Sequence, residues 1–128
     1  MKPTLFIFII ISFISCISNK SPCTKFRTGH FILHSSHTSS EYMVDRNDSF
    51  QIETEKETGK KSKWKIDWKG DCEYNLTYID QDKNKGDTTV AFLKTLNIRI
   101  VKAEEKYYVF SCEIPFLKEP IIDTIWKL

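Results

Sequence analysis

This 128-residue sequence predicts an all-β fold, an antiparallel up-and-down meander of about eight strands. Three observations predict it. Apolar and polar residues alternate with a period of two, as in Trp64, Ile66 and Trp68 against Lys63, Lys65 and Asp67, and no long helical period appears. Each alternating run has one polar face, the pattern of antiparallel sheet with one side in water. Three successive hairpins can be drawn from short loops between the runs.

The chain begins with a different kind of segment. Met1 and Lys2 give a basic start, and Leu5 to Ile14 is apolar except for Ser12. That run has the length of a signal-peptide core and falls short of the roughly 20 apolar residues a membrane span needs. Phe13-Ile14-Ser15-Cys16 resembles the lipobox of bacterial lipoproteins, with Phe13 in place of the usual leucine. The resemblance implies that the Cys16 thiol is alkylated by diacylglycerol, that the chain is cut before it, and that the new amino group is acylated. The expected division is then a signal peptide over 1–15, a lipidated tether over 16–22 and a single β domain over 23–128. Ordinary secretion with Cys16 incidental is the alternative. Two or more acyl chains make a stable anchor, since each buried methylene contributes about 0.8 kcal/mol. In Bacteroidetes-type lipoproteins, acidic residues just after the cysteine favour surface display. None occurs here before Glu41, so the expected location is the periplasmic face of the outer membrane.

Strands are expected near 25–34, 41–46, 50–57, 61–68, 72–81, 96–102, 106–114 and 121–127. A three-residue loop Thr58-Gly59-Lys60 pairs Glu57 with Lys61, Glu55 with Lys63 and Glu53 with Lys65 on one face. It pairs Ile52 with Ile66 and Phe50 with Trp68 on the other. The loop Lys69-Gly70-Asp71 pairs Trp68 with Cys72, Ile66 with Tyr74 and Trp64 with Leu76. The loop Ala103-Glu104-Glu105 pairs Ile100 with Tyr108 and Ile98 with Phe110. The meander is expected to curl into a small barrel or half-barrel resembling the lipocalin-like class. Its inner face carries Phe31, Leu33, Phe50, Trp64, Trp68, Tyr74, Tyr78, Tyr108 and Phe110, large side chains that tend to fill a short barrel.

Cys23, Cys72 and Cys112 remain after Cys16. An exported protein meets an oxidising compartment, so one disulfide and one spare thiol is the simplest sum. In an up-and-down layout, Cys23 and Cys72 fall at the same end, and a Cys23–Cys72 disulfide is the expected pair. Cys112 depends on residues 88–102. One descending strand there leaves Cys112 free at the far end; a separate strand over 88–92 reverses the parity and lets it compete.

Three stretches carry a family resemblance: Cys23 to Phe31 (CTKFRTGHF), Arg46 to Glu53 (RNDSFQIE) and Ile66 to Leu76 (IDWKGDCEYNL). They are similar to the C-x-x-F-x-T-G-x-F, R-x-x-x-x-Q-x-E and I-x-W-x-x-x-C-x-Y-x-L pattern of a group of small flavobacterial-type Bacteroidetes lipoproteins. The match covers the first two-thirds of the mature chain. Members sometimes carry a "DNA topoisomerase IV" label. This chain is too short for such an enzyme and has no motif for strand cleavage.

Removing residues 1–15 takes Lys2 with it and leaves 18 basic against 17 acidic side chains. A near-neutral total gives no pull toward nucleic acid. In "KKSKWKIDWK" the lysines are read as a solvated ladder against Glu53, Glu55 and Glu57, with Trp64 and Trp68 inward. His30, His34 and His37 have the spacing H-x3-H-x2-H, yet on a strand His30 and His34 stand about 13 Å apart and do not share a metal. "DQDKNKGD" after Asp80 lacks the twelfth-position acid of a calcium loop, where Ala91 stands, and Lys83 and Lys85 oppose a cation. Asp87-Thr88-Thr89 and Asp123-Thr124-Ile125 resemble Bacteroidetes O-glycosylation tripeptides. No serine elbow, Cys–His pair or P-loop appears, so no enzyme, cofactor or metal is expected. Arg46 is expected to point inward beside Phe50 and to cap the barrel end on Trp68; Arg46 and Trp68 are the candidate ligand contacts. The expected function is a non-enzymatic envelope interaction or binding module with an envelope protein as partner. The alternative is a carrier of a small apolar ligand.

Overall fold

A computed structural model describes residues 19–79 and 95–128. The strands are β1 (Gly29–His34), β2 (Glu41–Arg46), β3 (Phe50–Glu55), β4 (Lys61–Trp68), β5 (Glu73–Ile79), β6 (Thr95–Ala103), β7 (Tyr107–Glu113) and β8 (Ile121–Lys127). Each pairs antiparallel with the next, and β8 pairs with β1, so the meander closes into a barrel with no free edge. The expected strands thus form, and the closure is complete. The first is shorter than its alternation suggests. Thr24–Phe26 is instead a 3₁₀ turn, closed by Phe26 N–H donating to the Cys23 carbonyl at 3.0 Å. It lays Phe26, fully buried, across one end of the barrel. Gly29, φ +136°, makes the sharp entry into β1 in a backbone conformation that L side chains rarely adopt.

The Cys23–Cys72 disulfide is present, with Cα atoms 5.3 Å apart. Cys112 is free and buried, paired in register with Ile98 and Ile121 near the other end. This is the arrangement expected of one descending strand, realised by β6.

The registers depart from expectation in two ways. Across β4–β5, Trp68 faces Tyr74, Ile66 faces Leu76 and Trp64 faces Tyr78. Across β6–β7, Ile98 faces Cys112 and Ile100 faces Phe110. Both are slips of two, so every side chain keeps its expected face. In β6 a bulge between Ile100 and Lys102 puts Val101 and Lys102 both in solvent and returns Ala103 inward. Across β3–β4 the slip is odd. Phe50 faces Lys65, Gln51 faces Trp64 and Ile52 faces Lys63, with Glu55 N–H donating to the Lys60 carbonyl. Faces therefore exchange: Gln51 and Glu53 point into the barrel, and Phe50 lies outside under the Lys63 ammonium, 4.4 Å from the ring centre. The expected Glu–Lys ladder does not form. Exposed cross-strand ion pairs contribute only about 0.2–1 kcal/mol each, and the inward polar face of β3 has a stronger use.

The remaining expected inner side chains do face inward. Phe31, Val44, Trp64, Ile66, Tyr74, Leu76, Ile98, Ile100, Tyr108, Phe110 and Ile125 form the core with Phe26. His30 and His34 are outward on β1, each beside a carboxylate of β2: Asp45 at 2.5 Å and Glu41 at 3.1 Å. The calcium-like loop, Asp87-Thr88-Thr89 and the signal and lipidation segment through Cys16 lie outside the described residues. Of the second tripeptide, Asp123 is buried inside the barrel, where it accepts the Ser36 N–H at 3.1 Å.

Candidate binding site

The two ends of the barrel are built differently. At the disulfide end the interior is solid, and Arg46 is its centre. The guanidinium is buried at the end of β2 and makes four hydrogen bonds. Nε donates to Gln51 Oε1 at 2.8 Å, Nη1 to the Phe26 carbonyl at 2.9 Å, and Nη2 to the Tyr74 and Tyr108 hydroxyls at 3.1 and 2.8 Å. The two hydroxyls lie 2.9 Å from each other. The cation also lies over the rings of Tyr74, Phe31 and Tyr108, at 4.9, 5.1 and 5.8 Å from their centres.

This differs from the expected role. Arg46 lies neither beside Phe50 nor on Trp68. Trp68 packs on Tyr74, ring centres 4.5 Å apart, and is covered from outside by Arg27 at 5.0 Å. Arg27 in turn holds Asp71 and the Gly70 carbonyl. With its donors directed at protein groups, Arg46 serves as the tie between the 3₁₀ plug, β2, β3, β5 and β7. Burial opposes its charge, and the hydroxyls of Tyr108 and Tyr74 outweigh that opposition, so it stays protonated. Burial likewise raises the Tyr74 hydroxyl well above the ordinary tyrosine value.

The counter-charge is relayed. Gln51 accepts from Arg46 on its oxygen and donates Nε2 to Glu53 Oε1 at 2.6 Å. Glu53 as a whole is half-buried, but its carboxyl turns into the interior above Gln51. Burial pushes the carboxyl above the ordinary glutamate value; the Gln51 hydrogen bond, the attraction of Arg46 and the nearby Trp64 indole only partly offset this. The native state therefore binds a proton more readily than the unfolded chain. Stability contributed by this group is greatest below the unfolded value and falls as pH rises through the folded one. We expect Glu53→Gln to flatten the pH dependence of stability in the window just above about pH 4.3. Urea midpoints of both proteins between pH 4 and 7 check this, and parallel curves would contradict it.

Among the described residues the opposite end is less tightly packed. Leu33, Tyr42, Glu53, Ser62, Tyr78, Leu96 and Ile121 all face inward by register, yet each is only half-buried. Trp64, 5% exposed, forms the floor with its edge on Tyr78, ring centres 5.2 Å apart. Its indole N–H is directed at the Glu53 carboxyl, outside ordinary hydrogen-bond geometry. Cys112 belongs to this half; burial, then the adjacent Glu113 carboxylate, push its thiol up to about 11. We expect no reaction of the native protein with a thiol reagent at pH 8, and one equivalent in denaturant without reductant. Three equivalents would mean that Cys23 and Cys72 are not bridged, and a second alone would be a Cys16 thiol left unalkylated.

Among the described residues the outer surface carries an apolar band on β7–β8–β1. Trp126 and Ile122 of β8, 45% and 56% exposed, share the face of β7–β8–β1 with Tyr107, Val109 and Ile32. Tyr107 stacks on Trp126, ring centres 4.6 Å apart. No group of three or more potential metal ligands occurs among the described residues.

Sequence reasoning missed Gln51 and Glu53 as interior residues and the tyrosine pair as partners of Arg46. The residues were in view in the three quoted stretches: Phe26, Gly29, Phe31, Arg46, Gln51, Glu53, Trp68, Cys72 and Tyr74 all lie in them, and all belong to the closed end and its relay. No protein-family model matches the chain, and no curated protein matches it in sequence.

Proposed function

We propose that this chain is a non-enzymatic binding module, held at the periplasmic face of the outer membrane by acyl chains on Cys16, that takes a small ligand into the open end of its barrel. One observation carries the reading: seven inward side chains of that half remain half-exposed, while the other half is packed solid. The large inner aromatics fill one end and stop. A barrel interior that is fixed at its base and lined by apolar and aromatic walls at its mouth suits a ligand with an apolar body. The lipobox-like Phe13 to Cys16 and the resemblance to small flavobacterial-type lipoproteins support the anchoring. Native mass spectrometry on protein extracted gently from its own membranes tests both parts. An acylated mass beginning at Cys16 with a reproducible non-covalent adduct is expected. An unacylated mass overturns the anchor, and an acylated mass without adduct argues against the ligand.

The band on β7–β8–β1 favours a second reading, engagement of an envelope protein through the outer wall. A photo-cross-linker at Trp126 in the native membrane would then give one adduct of defined mass. Its absence, with lipidation intact, removes that reading.

A further inference from the structure

We infer that the barrel rests on the surface of an anionic bilayer through the rim where its closed end meets the β7–β8–β1 wall, with Trp126 and Tyr107 at the level of the lipid headgroups. This rests on the acylation of Cys16 proposed above, and it sets the bilayer against an envelope protein as the occupant of the apolar band. The band is continuous. By register Tyr107, Trp126, Ile32 and Met43 form one row across four neighbouring strands, all on the outer face. No charged side chain interrupts that row, and Val109 and Ile122 lie beside it. β4, on the far side of the closed barrel, presents Lys61, Lys63, Lys65 and Asp67 outward. The molecule therefore has an apolar wall and a charged wall. Tryptophan and tyrosine, each an apolar ring with one polar atom, settle where hydrocarbon gives way to headgroups.

Cations gather on the closed-end side of the same row. Lys127 follows Trp126 and donates Nζ to the Lys25 carbonyl at 2.9 Å. Lys106 precedes Tyr107, and its carbonyl accepts the Lys127 N–H at 2.7 Å. Lys20, Lys25 and Arg27 line a shallow basin beside this corner with Ser21, Thr24 and Asp71. Lys20, Lys25, Lys106 and Lys127 are exposed and pair with no carboxylate among the described residues. The acids nearby are mostly occupied: Asp71 by Arg27 and Glu104 by Lys102, with Glu105 left beside Lys106. Lysines bordering an apolar, aromatic face are the pattern that holds an anionic lipid surface.

The path of the chain is an observation independent of both. Cys23 lies seven residues after Cys16, a reach of about 24 Å at full extension. Cys23 is itself fixed by its bridge to Cys72, and it stands two residues before Lys25, the residue that Lys127 touches. The acyl chains are therefore tied within a short radius of Trp126 and not of the charged wall. Between Cys16 and Cys23 the one ionisable side chain is Lys20, a further cation.

Trp126 is its own reporter, because Trp64 and Trp68 face inward. Protein purified from its own membranes is reconstituted into vesicles of phosphatidylglycerol and phosphatidylcholine with brominated acyl chains, then floated on a density gradient. The protein is expected to float, with its fluorescence lowered by about a quarter or more against unbrominated vesicles, Trp126 being one of three tryptophans. Trp126→Phe is expected to lose that quenching while still floating. Lys25→Gln with Lys106→Gln, or vesicles of phosphatidylcholine alone, should reduce the quenching about twofold. Floating protein without quenching overturns the footing and leaves the anchor standing; a single protein adduct from a cross-linker at Trp126 would then give the band to an envelope partner. Quenching that persists in Trp126→Phe overturns the orientation. Quenching indifferent to the lysines and to lipid charge overturns the role of the cations. Protein that does not float overturns the anchor, and the footing with it.

Discussion

Arg46→Met is expected to destabilise the barrel by about 3–5 kcal/mol, a large share of the 5–15 kcal/mol available to a domain of this size. The side chain leaves four hydrogen bonds behind, and all of its acceptors except the backbone carbonyl of Phe26 are side-chain groups inside the barrel. Methionine fills most of the volume but donates nothing. Each buried acceptor left without a donor costs about 1–3 kcal/mol, reduced where Tyr74 and Tyr108 can bond to each other. Lysine does not rescue the site, because one ammonium cannot reach four acceptors spread around a planar fork. Arg27→Ala is the control: its guanidinium is on the surface against Asp71 and should cost below about 1 kcal/mol. Urea denaturation of the two variants separates the cases. An Arg46→Met midpoint no lower than that of Arg27→Ala would show that the cage contributes specificity and not stability. Tyr108→Phe in the Arg46→Met background gives the coupling, expected to exceed 0.5 kcal/mol because the groups touch.

Opening the disulfide is expected to cost about as much. Cys23 and Cys72 are separated by 49 residues, and closing a loop of that length removes roughly 4 kcal/mol of chain entropy from the unfolded state. For a domain of about 100 residues this lowers the melting temperature by on the order of 20 °C. Cys23→Ala with Cys72→Ala should show that loss in thermal unfolding. A shift below about 5 °C would mean that the 3₁₀ plug holds itself in place through Phe26 and Arg46 without the bridge. Reduction of the wild type must agree with the double variant, since Cys112 is outside the pair.

The fold was legible where period and parity decide. Alternation in β4, β5 and β7 assigns the inward residues without any knowledge of partners, and slips of two in their registers left those assignments intact. The Cys23–Cys72 pair followed from counting strand directions. The β3 register was not legible from charge matching. A Glu–Lys ladder on an exposed face contributes too little to hold a register against the requirement of one buried guanidinium, which needs Gln51 inward at its Nε. Choosing between the two required knowing that Arg46 is fully enclosed with its Nε on Gln51, beyond the inward direction that the sequence suggests. The bulge at Val101 escaped for a similar reason: nothing in Ile100-Val101-Lys102 marks a position where two residues oppose one. The open end was hidden because the aromatics that line it and those that fill the base look alike in a list. Only their height along the strands separates Tyr78 from Tyr74.

The disulfide also sets where a pull on the chain is felt. Cys23 precedes β1, and its covalent partner lies in the turn between β4 and β5, far around the barrel from the β1–β8 seam. Tension applied at the N-terminal side of Cys23 therefore divides before it reaches β1. Part of it enters at Cys72, whose carbonyl is bonded to Ile100 N–H of β6 at 2.8 Å, in the middle of the meander. The weakest way to take apart such a barrel is to peel its first strand from its last, one hydrogen bond at a time. A load shared with Cys72 has to shear several strands together, so the molecule resists being unzipped from the end by which it is tied.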